Sequence, residues 1–171
     1  NHWRGGIQGV TAMDTIPGYT PPVVVGYINY GEVDMWGLDA SLTALLNLEW
    51  SIDANYSYLG MNEFLNPITN AMDPINAPRH KMGMKLQYNS RRLPITGSLN
   101  ARYVDGFNWS SGIYFGEIKP YTLFDVHFGY KFNDHLKANF TITNLLNHYH
   151  TEIIGGPSLG RVLLLRMQTT F

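Results

Sequence analysis

Cysteine is absent from the 171 residues, and only 15% of the side chains are charged. Disulfides and thiolate metal ligands are therefore excluded. A formal net charge of −1 offers no basic surface, so no nucleic-acid partner is expected. Runs of about 18 or more apolar residues are also missing, which excludes a membrane-spanning helix. Because residues 1–4 lack the apolar segment of a signal peptide, we expect either a removed leader or a piece of a longer chain.

The segment at the carboxyl end, residues 160–171, alternates between apolar and polar side chains. Leu165, Met167 and Phe171 share one face and Arg166 lies on the other, because successive residues of a strand point to opposite sides. Its length of about a dozen residues suits a tilted transmembrane strand, which needs roughly 9–11. We therefore predict that this segment is the closing strand of an outer-membrane β-barrel.

The same alternation recurs in earlier segments of the chain. The predicted strands are residues 25–46, 50–58, 79–88, 94–103, 121–132 and 136–145. Residues 1–9 are too short and too glycine-rich for a good lipid-facing strand, and the proline-containing residues 10–22 are predicted to be a loop.

The connections between the predicted strands alternate in length. Short connections are residues 47–48, 89–93 and 133–135, and long ones are residues 61–77, 106–119 and 147–159. Outer-membrane barrels have this pattern, with tight periplasmic turns and long external loops. If Phe171 ends in the periplasm, every short turn lies on the periplasmic side.

Aromatic and charged residues follow the same division into two faces. A girdle of aromatic rings is predicted near the strand ends at Trp50, Tyr58, Tyr88, Tyr103, Tyr121 and Tyr130. The charged strand residues have the opposite parity, which avoids a cost of about 2–4 kcal/mol for each Lys or Arg at the bilayer midplane. The pattern predicts an all-β fold, a transmembrane antiparallel up-and-down β-barrel.

Five short motifs, spread from residue 29 to residue 171, resemble those of TonB-dependent outer-membrane receptors. Asn29 with residues 37–39 (Gly-Leu-Asp) is similar to the family's N…G-V-E strand, with Asp39 where many relatives have Glu. The other motifs are residues 77–81 (Ala-Pro-Arg-His-Lys), 121–126 (Tyr-Thr-Leu-Phe-Asp-Val), 144–149 (Asn-Leu-Leu-Asn-His-Tyr), and 160–161 (Gly-Arg) before the strand that ends at Phe171.

The resemblance implies that residues 1–171 are the carboxy-terminal segment of a receptor barrel. They would supply seven to eight strands of a barrel of about 22 strands, whose lumen holds a plug domain that is not in this chain. It further implies a location in the outer membrane of a Gram-negative bacterium, with TonB engaged through the missing upstream part. A receptor of this kind imports a siderophore, corrinoid, glycan or peptide, is not an enzyme and needs no cofactor. Phe171 would be the signal for assembly.

Two alternatives to this function remain open at the level of sequence. The chain has enough residues for a complete eight-stranded barrel with a structural or adhesive role. It also suits a receptor-like barrel that serves as the scaffold subunit of an envelope complex and transports nothing.

Few residues suggest a chemical site. In the long connection at 106–119, the candidate ligand-binding side chains are Phe107, Trp109, Tyr114 and Phe115, for which packing within the loop is the alternative. In the last loop, His148, His150 and Glu152 are side chains of the kind that bind transition metals. A structural role at the top of a strand is favoured for that element, so no metal site and no catalytic residue is predicted.

Overall fold

A computed structural model describes residues 2–15, 23–67, 70–111 and 113–170, with side chains from residue 32 onward. The strands of the main sheet are β1 (His2–Thr15), β2 (Val23–Leu45), β3 (Trp50–Leu59), β6 (His80–Asn89), β7 (Ile95–Val104), β10 (Tyr121–Lys131), β11 (Leu136–Thr143) and β12 (Val162–Thr169). Two short pairs lie in the connections: β4 (Glu63–Leu65) with β5 (Met72–Pro74), and β8 (Phe107–Ser111) with β9 (Tyr114–Ile118). None of the described residues belongs to a helix long and apolar enough to cross a membrane.

The eight long strands form one antiparallel sheet in the order β1-β2-β3-β6-β7-β10-β11-β12. Each strand pairs with the next long strand along the chain, so the up-and-down meander predicted from the sequence is confirmed. Strands β1 and β12 are the two edges, and within the described residues they do not pair with each other. The sheet is therefore open, as a segment of a barrel wall would be.

The strand register aligns residues of one kind into rows across the sheet. One row is apolar and consists of Ala44, Ile52, Leu86, Leu99, Val126, Ile142 and Leu163. The adjacent row is polar and includes Thr43, Asp53, Lys85, Asn100 and Asp125. Because adjacent rows point to opposite sides of a sheet, one face is apolar and the other is polar, as predicted.

Aromatic rings flank the apolar face at both ends. At the end with the short turns, Trp50 packs on Tyr88 with ring centroids 4.8 Å apart, and Tyr130 packs on Phe132 at 4.7 Å. At the other end Tyr58 lies between the rings of Trp36 and His80. Amphipathic rings in these positions match the two membrane interfaces of a barrel.

Three local predictions were wrong. Strand β1 continues to Thr15, so residues 10–15 are not part of the loop that was predicted for 10–22, and residues 16–22 lie outside the described residues. Its pairing with β2 has two register shifts, between Ile7 and Gln8 and between Thr11 and Asp14. Bulges of this kind let an irregular, glycine-rich sequence stay paired through its backbone.

The long connections at 61–77 and 106–119 were predicted to be loops. They contain the hairpins β4–β5 and β8–β9, in which neighbouring backbone groups pair with each other.

Tyr121 does not belong to the aromatic girdle. It has the parity of Leu123 and Asp125, so it lies on the polar face, where a cluster of loop side chains buries it. The girdle prediction counted it on the wrong face. Phe171 lies outside the described residues, and its proposed role in assembly stays a prediction.

Candidate functional site

The long connections pack together into one surface at the end of the sheet opposite the short turns. Asn76, which follows β5, is bonded twice to the backbone of Ser110 in β8. Its Nδ2 donates to the Ser110 carbonyl at 2.8 Å, and its Oδ1 accepts from the Ser110 N–H at 2.7 Å. The Asn108 amide also donates to Glu63 at 2.6 Å. The hairpins β4–β5 and β8–β9 are thus tied to each other.

A small hydrophobic core lies beneath the β8–β9 hairpin. Phe107 and Ile118 face each other across the hairpin and pack on Tyr121 and Leu123 of β10. Because Tyr121 and Leu123 lie on the polar face of the sheet, the hairpin folds over that face rather than outward. In a barrel, this face lines the lumen.

The last loop, residues 147–161, closes over the other side of the hairpin. The ring of Tyr114 lies against Gly155, and the side chain of Ile154 lies against Gly116. Gly155 has φ of +86°, a backbone conformation that side chains with a Cβ rarely adopt. A cavity of about 310 Å³ remains between hairpin and loop, and Trp109 and Ile153 are among the residues that line it.

Trp109, which lines this cavity, has one polar atom without a hydrogen-bond partner among the described residues. Its indole Nε1 is buried, and no atom of the described residues accepts a hydrogen bond from it. An indole N–H is a donor only, and leaving a buried donor without a partner costs about 1–3 kcal/mol. Because this nitrogen is closed off from solvent, the cost belongs to the packing of the loop cluster and not to a group that faces the cavity.

The four aromatic residues that were predicted to bind a ligand lie in different environments. Phe107 is only 8% exposed and belongs to the core beneath the hairpin. Trp109 is partly buried and lines the cavity. Tyr114 and Phe115, at the hairpin tip, are 52% and 78% exposed. Packing within the loop is the role of Phe107, and contact of Tyr114 and Phe115 with a ligand stays a prediction.

Ile113 and Ile153 were not selected from the sequence, although both are exposed in this cluster. Ile113 precedes Tyr114 at the hairpin tip, and Ile153 lines the cavity. The sequence feature that could have identified them is a large apolar residue close to a glycine in an otherwise polar loop. They extend the apolar part of the surface beyond the aromatic rings.

Residues 144–149 form a tight turn on top of β11. Asn144 and Asn147 both have positive φ, near +55°. The Asn144 side chain is bonded at both ends to the backbone of His148, and its own N–H donates to Asp125 Oδ1 at 2.8 Å. The element therefore has a structural role.

The histidines next to this turn are engaged within the loop. His150 is buried with its ring centroid 4.6 Å from that of Tyr121. Its Nδ1 lies 3.1 Å from the His148 carbonyl and its Nε2 lies 3.3 Å from Glu152. Across the described part of the chain, no group of three or more His, Cys, Asp or Glu side chains is placed to hold a metal ion.

An open antiparallel meander with one apolar face, aromatic girdles and packed loops at one end defines a segment of an outer-membrane barrel. The family model described as "TonB dependent receptor-like, beta-barrel" matches residues 6–145. The chain belongs to this TonB-dependent receptor family, as the sequence motifs predicted. Membership implies a location in the outer membrane of a Gram-negative bacterium. No curated protein sequence matches the chain.

Three solved structures with a similar fold are two receptors and one transporter. The open form of the ferric-catecholate import receptor Fiu of E. coli K12 has a TM-score of 0.61 and 20% identity over 82% of this chain. A mutant of the ferric enterobactin receptor PfeA of Pseudomonas aeruginosa has a TM-score of 0.70 and 14% identity over 99% of it. The copper transporter OprC has a TM-score of 0.66 and 14% identity over 86%.

The present chain spans only part of each of these proteins. It covers 21% of Fiu, 28% of PfeA and 24% of OprC. At such identities the likeness concerns the fold alone.

Proposed function

We propose that this chain forms part of the wall and external loops of an outer-membrane receptor that imports a scarce nutrient. The observation that carries the proposal is the register, which aligns an apolar face for lipid against a polar face for a water-filled or plugged lumen. Family membership supports the same function. The chain has no catalytic role in this proposal.

The polar face suits a hydrated lumen better than a dry core. Lys85 lies next to Asp53 in register, and Arg102 lies 3.8 Å from Asp125 with about half of its side chain exposed. Unpaired charges in a dry core are costly, whereas water or a polar plug solvates them. The plug and the contact with TonB belong, in this proposal, to parts of the receptor outside this chain.

The loop surface is the proposed point of contact with the nutrient. Tyr114 and Phe115 offer exposed rings, and Trp109 lines the cavity behind them. Together they favour a ligand with an apolar or aromatic surface. The class of nutrient stays open among siderophores, corrinoids, glycans and peptides.

The test is an uptake assay in a strain whose only copy of the full-length protein carries the change. The probes are ferric enterobactin, cyanocobalamin, a maltodextrin and an oligopeptide, each labelled. We expect one of them to enter in a manner that an uncoupler of the inner-membrane proton gradient abolishes. The double variant Tyr114→Ala, Phe115→Ala should slow that uptake at limiting concentration. The matched control is Phe132→Ala, an exposed aromatic at the opposite end of the sheet.

Three outcomes count against the proposal. Uptake that is indifferent to the uncoupler would indicate a passive pore. Normal uptake in the double variant would show that the loop tip does not contact the nutrient. Absence of energised uptake for all probes, with the protein recovered in a stable envelope complex, would favour the scaffold role.

A further inference from the structure

A groove lies on the apolar face at the end of the sheet with the short turns. Its floor is the tilted ring pair Trp50 and Tyr88, which face each other in the register of β3 and β6. The turns before β3 and after β6 form its sides, and there Leu48 and Leu93 are 80% and 58% exposed. The volume is about 880 Å³, within the range of about 300–1,000 Å³ of small-molecule sites.

The two turns are fastened to each other by Glu49. Its backbone carbonyl accepts from the Asn89 N–H at 2.8 Å, and its carboxylate accepts from the Arg91 N–H at 2.9 Å. The Ser90 hydroxyl accepts from the N–H groups of Arg92 and Leu93 at 3.3 Å and 3.0 Å. These hydrogen bonds fix the backbone of the groove without a bound ligand.

The charge of the groove is positive. Arg91 and Arg92 are both exposed and both line it, and Glu49 is the one acidic residue among the lining residues. Glu49 already uses one carboxylate oxygen on a backbone N–H. In the part of the chain that the structure describes, neither guanidinium forms an ion pair with a carboxylate.

This combination fits the head of a membrane lipid. Guanidinium groups bind phosphate oxygens in a two-pronged geometry. Indole and phenol rings prefer the boundary between headgroups and acyl chains, and the exposed leucines would contact the first methylenes. A free phosphate ion would use the arginines alone and leave the aromatic floor and the leucines without a partner.

We propose that this groove binds the phosphate head of an anionic phospholipid in the periplasmic leaflet, with Arg91 and Arg92 on the phosphate. The leaflet follows from the placement of the short turns opposite the external loops. An anionic head is preferred because a zwitterionic head brings its own ammonium group toward the arginines. The site is separate from the loop surface, so its lipid binding and the uptake of a nutrient can fail independently.

The experiment measures lipid retention by the purified full-length protein in detergent, by native mass spectrometry. The probes are phosphatidylglycerol, phosphatidylethanolamine, lipopolysaccharide and inorganic phosphate. Wild-type protein should bind phosphatidylglycerol about thirtyfold more tightly than phosphatidylethanolamine, the order expected for two basic residues at a membrane surface. The double variant Arg91→Gln, Arg92→Gln should lose that preference, and Arg91→Lys, Arg92→Lys should keep part of it.

The matched control is Arg161→Gln, which changes an exposed arginine in the loop before β12, at the other end of the sheet. It should leave the preference unchanged. Equal binding of the two lipids by the wild type would overturn the proposal without reference to any variant. Displacement of phosphatidylglycerol by equimolar inorganic phosphate would assign the site to free phosphate instead. A preference for lipopolysaccharide over phosphatidylglycerol would overturn the assignment to the periplasmic leaflet.

Discussion

Asp125 holds the tops of two strands together with one carboxylate. Its Oδ1 accepts from the N–H of Asn144, a residue that is 97% buried by its neighbours and has left-handed backbone. Its Oδ2 lies 3.8 Å from Arg102 on the other neighbouring strand. Asp125, the aspartate of the motif at residues 121–126, is therefore a structural acceptor on the polar face.

Replacing Asp125 by Ala should destabilise the loop end of the sheet by about 1–3 kcal/mol, because it leaves the buried Asn144 N–H without a partner. Asp125→Asn should cost less, since its Oδ1 still accepts from that N–H. The measurement is the midpoint of urea-induced unfolding of the full-length protein in phospholipid vesicles. Asp134→Asn in an exposed turn is the control. Equal midpoints for wild type and Asp125→Ala would show that this bond is dispensable.

Gly155 permits the contact between the last loop and the hairpin. A Cβ at this position would lie 2.6 Å from Cδ1 of Tyr114, and the residue has φ of +86°. We expect Gly155→Ala to push the Tyr114 ring out of the loop cluster and to raise the rate of proteolysis in residues 105–120. Gly97→Ala is the matched control, because its Cβ would make only an ordinary contact at 3.6 Å. Comparable proteolysis of the two variants would contradict the packing described here.

The strands of the wall were predictable as elements because lipid and lumen impose a period of two along each of them. The hairpin β8–β9 was not predicted, since strands of five residues carry too little of that period. The sequence also did not distinguish buried Phe107 from exposed Phe115. That difference arises from the fold-back of the hairpin onto Tyr121 and Leu123, which buries the base of the hairpin and leaves its tip exposed.

The wall of the barrel should assemble without the β8–β9 hairpin. Val104 and Tyr121 are direct partners in the pairing of β7 with β10, so a short Gly-Ser turn can join these strands in place of residues 105–120. We expect such a variant to reach the outer membrane and remain heat-modifiable on gels, but to lose nutrient uptake. Failure to assemble would show that the hairpin is required for the fold of the wall.

At the scale of the whole molecule, the open edges limit what the chain does alone. Within the described ranges, strand β12 pairs along one edge only, and unpaired backbone groups along the other edge are not tolerated in lipid. The edge therefore needs a partner strand, which we expect from another part of the receptor. The sequence indicated this through the weak pattern of residues 1–9, although it underestimated the length of β1.

The terminal aromatic is expected to act in assembly of the whole barrel. Deletion of Phe171 should lower the amount of receptor in the outer membrane, while the molecules that do assemble should import at the normal rate. Quantitative immunoblotting of outer membranes, together with uptake per receptor, measures the two separately. A normal amount with reduced uptake per receptor would place Phe171 in transport instead.

The assignment of one face to lipid and the other to the lumen is tested most directly by nitroxide labels on neighbouring residues. The chain has no cysteine of its own, so single cysteines can be introduced at Leu99 and Asn100 and at Leu164 and Leu165. Labels at Leu99 and Leu165 should collide with oxygen and be shielded from a water-soluble nickel complex. Labels at Asn100 and Leu164 should show the reverse, even though Leu164 and Leu165 are chemically identical. Equal accessibility within both pairs, or nickel access at Leu99 and Leu165, would contradict the barrel wall.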